Sequence, residues 1–204
     1  MILYLHGFRS APASFKARLL AERMAATGQQ AAWLCPQLPA SPRAAINLAR
    51  DLIRGCGVDI ERELCIIGSS LGGFYATALA EEFGCRAALL NPAVRAARDL
   101  ASQVGTTTFY HSDQPFEFLP EYVGELEALQ VEEITRPERY FLLAATGDEV
   151  LDWQEMLAHY PRARNRIING SDHGISDFAQ YMDEVLAFAG HASAQLGQQL
   201  DKQQ

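Results

Sequence analysis

The stretch Cys65-Ile66-Ile67-Gly68-Ser69-Ser70-Leu71-Gly72-Gly73 constrains this chain more than any other. It reads as an apolar strand, a G-x-S-x-G turn and a helix that runs to Phe83, where Gly84 ends it. A serine on such a sharp strand-to-helix turn projects its hydroxyl from the sheet edge, which is the geometry of a nucleophile elbow. Side chains at Gly68 or Gly72 would crowd the serine and the neighbouring strand. The N-terminus of the following helix favours negative charge developing at the site. A dinucleotide fingerprint is excluded because Ser70 stands where the second glycine belongs. A phosphate loop is excluded because no Gly-Lys-Ser/Thr ending follows.

The rest of the chain alternates in the same way. Strands are expected at Ile2–Leu5, Ala31–Cys35, Glu63–Ile67, Arg86–Leu90, Tyr140–Ala145 and Arg166–Ile168. Helices are expected at 14–26, from the Ser41-Pro42 start to about Arg54, and at 71–83, 153–160 and 177–188. Short apolar runs alternating with helical periods imply an α/β fold with a parallel sheet covered on both faces. At 204 residues one domain is the default, here 1–190. Residues 191–204 are glutamine-rich and read as a frayed polar tail.

Charge is unevenly placed. The chain has 25 acids and 17 bases, and the excess lies within 99–135, which holds eight acids and no Lys or Arg. This acidity argues against a nucleic-acid partner. No leader or apolar run of the ~20 residues needed to span a bilayer is visible. Cys35, Cys56, Cys65 and Cys85 show no metal-ligand spacing and read as reduced thiols, which fits a cytoplasmic protein. Thr106–Tyr122 holds five of the 19 aromatic residues, Phe109, Tyr110 and Phe116 among them. A lid-like insertion over 99–135, with an apolar pocket beneath these rings, is one expectation; a solvated surface stretch whose rings pack onto the body is the other.

A serine needs a base and an orienting acid, in the chain order serine, acid, histidine for this motif class. His173, in the loop after the sixth strand, is the candidate base. Asp148, first acid after the fifth strand, is the preferred acid; Glu149 and Asp152 are its rivals, and Asp172 reads as a turn cap. Leu3-Tyr4-Leu5-His6-Gly7-Phe8 places a turn where the backbone N–H of Phe8 and that of Leu71 can form an oxyanion hole. His6 reads as a brace of that turn.

Together these features resemble the α/β-hydrolase fold, and more closely the small bacterial YqiA-type esterases. The resemblance rests on Ile2–Pro12, Gly68–Ala76, Ile134–Tyr140, Thr146–Asp152 and Ser171–Gly174 with Asp177-Phe178. Arg9-Ser10 stands where family members usually carry Asn-Ser, and the polar tail is an addition. The resemblance implies a minimal hydrolase with six parallel strands in the order 2-1-3-4-5-6. It also implies cleavage of an acyl ester or thioester through an acyl-serine, with no cofactor and no metal. A lipase-like hydrolase, a peptidase or a non-catalytic binding protein could use the same fold.

Overall fold

Each strand of the central sheet is only two to six residues long, yet three of the six are apolar at every position. Such runs are stable only where both faces are covered. The computed structural model describes residues 1–110 and 112–191; the rest of the expected tail lies outside the described residues. In chain order the elements are β1 (Ile2–Leu5), α1 (Phe15–Ala26), β2 (Trp33–Leu34), α2 (Pro42–Gly55), α3 (Ile60–Glu63), β3 (Cys65–Ser69), α4 (Leu71–Phe83), β4 (Arg86–Leu90), α5 (Ala96–Leu100), β5 (Gly105–Thr108), β6 (Pro115–Phe118), α6 (Pro120–Glu127), β7 (Tyr140–Ala145), α7 (Trp153–His159), β8 (Arg164–Ile168) and α8 (Met182–Phe188).

Six strands form one parallel sheet in the order β2-β1-β3-β4-β7-β8. With the β5–β6 hairpin set aside, this is the expected order. Successive side chains alternate between two cores, as the two-residue period of a strand requires. Leu3, Leu5, Ile66, Leu89 and Leu142 meet α2, α4 and α7 on one face. Ile2, Tyr4, Ile67, Leu90 and Leu143 meet α1 and α8 on the other.

Local chemistry moves several boundaries. The expected third strand starts at Cys65 rather than Glu63, because Asp59 caps α3 by accepting the Arg62 N–H while the Glu63 carboxylate accepts the Asp59 N–H. This reciprocal capping keeps Glu63 helical. The edge strand β8 extends back to Arg164, whose guanidinium and that of Arg166 both pair with Glu184. Charged outward side chains are ordinary at a sheet edge. The last helix starts at Met182, after a separate 3₁₀ turn over Phe178–Gln180. At α2 the Ser41 hydroxyl accepts the Ala44 N–H and Pro42 occupies the first turn.

The segment 99–135 is the least expected region. It takes in the end of α5, an antiparallel hairpin of β5 and β6, and α6. Phe116 and Phe118 point to the body, while Pro115 and Glu117 face solvent.

Candidate active site

Register decides where the loops go. Leu5 pairs with Gly68, Ser69 with Leu90, Leu90 with Leu143, and Ala145 with Ile168. The C-terminal ends of β1, β3, β4, β7 and β8 therefore lie along one edge. The loops that follow converge there, where open parallel sheets place their sites.

Ser70 occupies the turn between β3 and α4 with φ +54° and ψ −120°. A non-glycine residue holds such a conformation only when its surroundings over-determine it. Here its N–H donates to Leu90 O, and its own carbonyl accepts N–H groups from Gly73 and Ala93. Close packing completes the turn. A Cβ on Gly72 would collide with the carbonyl of Leu5, so β1 and α4 touch only because residue 72 is a glycine. A Cβ on Gly7 would lie 3.3 Å from Ser70 Cβ, so the loop after β1 passes directly against the serine. Leu71 is the first residue of α4, and its N–H has no acceptor within the helix.

His173 Nε2 lies 3.0 Å from Ser70 Oγ, and its Nδ1 lies 2.8 Å from Asp148 Oδ2. A carboxylate can only accept, so Nδ1 carries the proton and the Nε2 lone pair of the neutral ring is free for the serine hydroxyl. The Asp148 side chain is fully buried, and its other oxygen accepts N–H groups from Val150 and Leu151 at 2.8 Å each. The rival acids have other partners. Asp152 caps α7 by accepting the Gln154 N–H, and Glu149 accepts the backbone N–H of His173. Asp172 accepts the Ser176 N–H, the turn-capping contact expected of it.

The loops carrying Asp148 and His173 are bonded to each other. Thr146 N–H donates to Ile168 O, Gly147 N–H to Gly170 O, and Gly170 N–H to Thr146 Oγ1. Two further residues hold the histidine loop, and neither stood out in the sequence. Asn91, buried with φ +43°, accepts the Ala145 N–H and donates to the carbonyls of Asp172 and His173. Its only sequence signal was an Asn-Pro pair ending a strand. Lys16 on α1, only 8% exposed, donates its ammonium to Gly174 O. Burial pushes that ammonium down to about 8, against the opposing pull of Asp172 and Asp148.

His6 lies away from this chain of bonds. Its Nε2 accepts the Leu38 N–H at 3.0 Å, so its proton sits on Nδ1 and donates to Gly7 O. Burial lowers its pKa, which keeps it neutral. It braces the turn after β1.

Beside Ser70 and His173 opens a cavity of about 720 Å³ whose walls include Phe8, Leu71, Leu100, Tyr110 and Leu151. Of the three aromatics expected to form a pocket, Tyr110 lines this cavity and Phe109 and Phe116 do not. Phe116 packs edge-to-face on Phe8 at 5.1 Å, and Phe109 packs on Phe116 at 5.1 Å. The hairpin pleat turns these rings inward, under the loop after β1, and not towards the serine.

Three solved structures share this architecture. Alpha/beta hydrolase domain-containing protein 10 from mouse is 15% identical, with a TM-score of 0.68 over 91% of this chain and 89% of that one. Est1E from Butyrivibrio proteoclasticus, solved with ferulic acid bound, is 14% identical, with a TM-score of 0.66 over 92% and 86%. A monoacylglycerol lipase from Paleococcus ferrophilus is 16% identical, with a TM-score of 0.63 over 94% of both chains. The fold is that of the α/β hydrolases. Residues 1–190, nearly the whole chain, match the sequence pattern of an uncharacterised protein family (UPF0227), and the chain belongs to that family.

Proposed function

We propose that this protein is a serine hydrolase that cleaves acyl esters or thioesters, with Ser70 as nucleophile, His173 as general base and acid, and Asp148 as the orienting acid. The observation that carries the reading is the continuous hydrogen-bond chain Ser70–His173–Asp148, at 3.0 and 2.8 Å. Its fold relatives include a lipase, which supports an ester substrate.

In this reading Ser70 Oγ attacks the acyl carbonyl carbon while its proton passes to His173 Nε2. The carbonyl electrons move onto oxygen, which the N–H groups of Phe8 and Leu71 and the N-terminus of α4 stabilise. Collapse breaks the bond to the leaving oxygen or sulfur, which takes the proton from His173. Water then attacks the acyl-serine, gives one proton to His173, and releases the carboxylic acid as Ser70 regains its hydrogen. The buried Asp148 carboxylate holds the ring in one tautomer and balances the transient imidazolium. The cavity wall is mixed, with Lys16, Asp99 and Gln103 beside Phe8, Leu71, Leu100 and Leu151, and its apolar part suits an uncharged acyl group.

The test is a fluorophosphonate probe combined with turnover of a p-nitrophenyl ester. The wild type should label at Ser70, where an oxygen–phosphorus bond replaces phosphorus–fluorine. Ser70→Ala should not label and should lose roughly 10⁴–10⁶ in kcat with its melting temperature preserved. A wild type that neither labels nor turns over would mark a binding protein instead.

A further inference from the structure

We infer that Arg9 is a positioning residue for the oxyanion site, fastening the loop that carries the Phe8 N–H to the β5–β6 hairpin so that the two form one unit. The inference rests on the assignment of Ser70 as nucleophile.

Arg9 has φ +56°, a left-handed conformation costly for a side chain of its kind. Three contacts hold it there, all with one segment. Its carbonyl accepts the Tyr110 N–H at 3.0 Å, its Nε donates to Thr108 O at 2.6 Å, and its guanidinium stands 4.5 Å over the Tyr110 ring. The neighbouring residue completes the joint. The Phe8 ring meets Phe116 at 5.1 Å and Phe118 at 5.2 Å, both edge-to-face. The Arg9 backbone and the side chains of residues 8 and 9 are thus engaged by the hairpin.

The dependence is mutual. A two-stranded hairpin is marginal by itself, and β5 is largely exposed, so docking on Phe8 and Arg9 supplies its order. The segment 99–135 contains no Lys or Arg, and Arg9 brings a cation to it from outside. On the other side, Gly7 lies against Ser70, so a small shift of residues 8 and 9 displaces the Phe8 N–H from the developing oxyanion. An oxyanion donor acts in the transition state and not in ground-state binding. Loosening the clamp should therefore slow chemistry more than it weakens substrate binding.

Arg9→Ala, Arg9→Gly and Arg9→Lys separate the explanations. Glycine adopts the left-handed conformation without strain, so it removes the clamp and keeps the backbone preference. Arg9→Ala and Arg9→Gly should both label with fluorophosphonate about tenfold more slowly than wild type, a displacement costing less than the loss of a donor. Their kcat should fall by the same factor, any rise in KM from the released Tyr110 ring at the cavity wall should be smaller than that fall, and hydrogen exchange should accelerate in residues 105–118 but not in β3 or β4. Arg9→Lys, which keeps a cation over Tyr110, should recover part of the rate. Wild-type labelling by Arg9→Gly would show that only backbone strain mattered and would overturn the clamp. A raised KM with unchanged labelling would show that Arg9 touches substrate, and would overturn it too. A wild type that does not label removes the nucleophile assignment, and this inference with it.

Discussion

Three acids compete within seven residues after β7, and their environments separate them. Asp148 is buried and bonded to His173; Glu149 holds a backbone N–H; Asp152 caps a helix. Asp148→Asn should leave the fold intact and lower kcat by about 10⁴, because an amide cannot hold the required tautomer or balance the imidazolium. Asp152→Asn should cost under about 1 kcal/mol of stability and little activity, since asparagine also caps helices. Glu149→Gln should reduce turnover less than tenfold. Ester turnover of the three variants ranks them, and a worst result for Asp152→Asn would move the orienting role there. Lys16 gives a pH prediction. Its folded-state value of about 8 lies below the ordinary lysine value near 10.4. Between the two the unfolded chain binds more protons, so stability attributable to Lys16 rises with pH across that window. Below about 8 the cost of burying the charge is constant. Compared with Lys16→Met, the wild type should gain up to about 3 kcal/mol between pH 8 and 10.5 in urea titrations. A difference independent of pH would mean the ammonium is as well accommodated in the fold as in water.

At the scale of elements, two glycines predict opposite outcomes for one substitution. Gly72 touches β1: an added methyl would meet Leu5 C at 2.5 Å and His6 O at 2.8 Å. Gly72→Ala must push α4 off β1 and should cost about 3 kcal/mol or more. Gly124 lies inside α6, is exposed and has open space around it. Gly124→Ala should stabilise by about 0.5–1 kcal/mol. Denaturant midpoints of the two variants, on opposite sides of wild type, check both. Legibility divides along the same lines. The core strands and the helices at 15–26, 42–55 and 71–83 show in the sequence because each carries its own apolar period and stop signals. The β5–β6 hairpin does not. Gly105–Thr108 has no apolar residue, and Phe116 and Phe118 look like loop aromatics until Phe8 is there to receive them.

For the whole molecule the acidity of residues 99–135 is the main asymmetry. Three of its eight acids are engaged: Asp99 with Arg98, Glu125 with Ser41 and Arg43, and Glu132 with Arg95. Asp113, Glu117, Glu121, Glu127 and Glu133 are exposed and make no ion pair among the described residues. Their field should oppose a multiply phosphorylated leaving group. Turnover of an acyl-CoA should therefore fall as ionic strength is lowered, because screening is then weakest. A neutral thioester of the same acyl chain should respond little. Equal salt responses would show that the acidic segment does not act on the site.

The sequence by itself determined the core strands, the helices between them and the turn at Ser70, because these depend on information local to the chain: short apolar runs, glycines at fixed offsets and helix caps; the strand order was implied only by the resemblance to the small esterases. It also placed Ser70, Asp148 and His173 after strands that register then brings to one edge. Tertiary structure alone decided which neighbours serve those residues. Asn91, Lys16 and Arg9 act across 54 to 158 positions of sequence, through hydrogen bonds to backbone groups that any residue would present. A backbone acceptor leaves no residue type to recognise, so such contacts are invisible until the chain has folded.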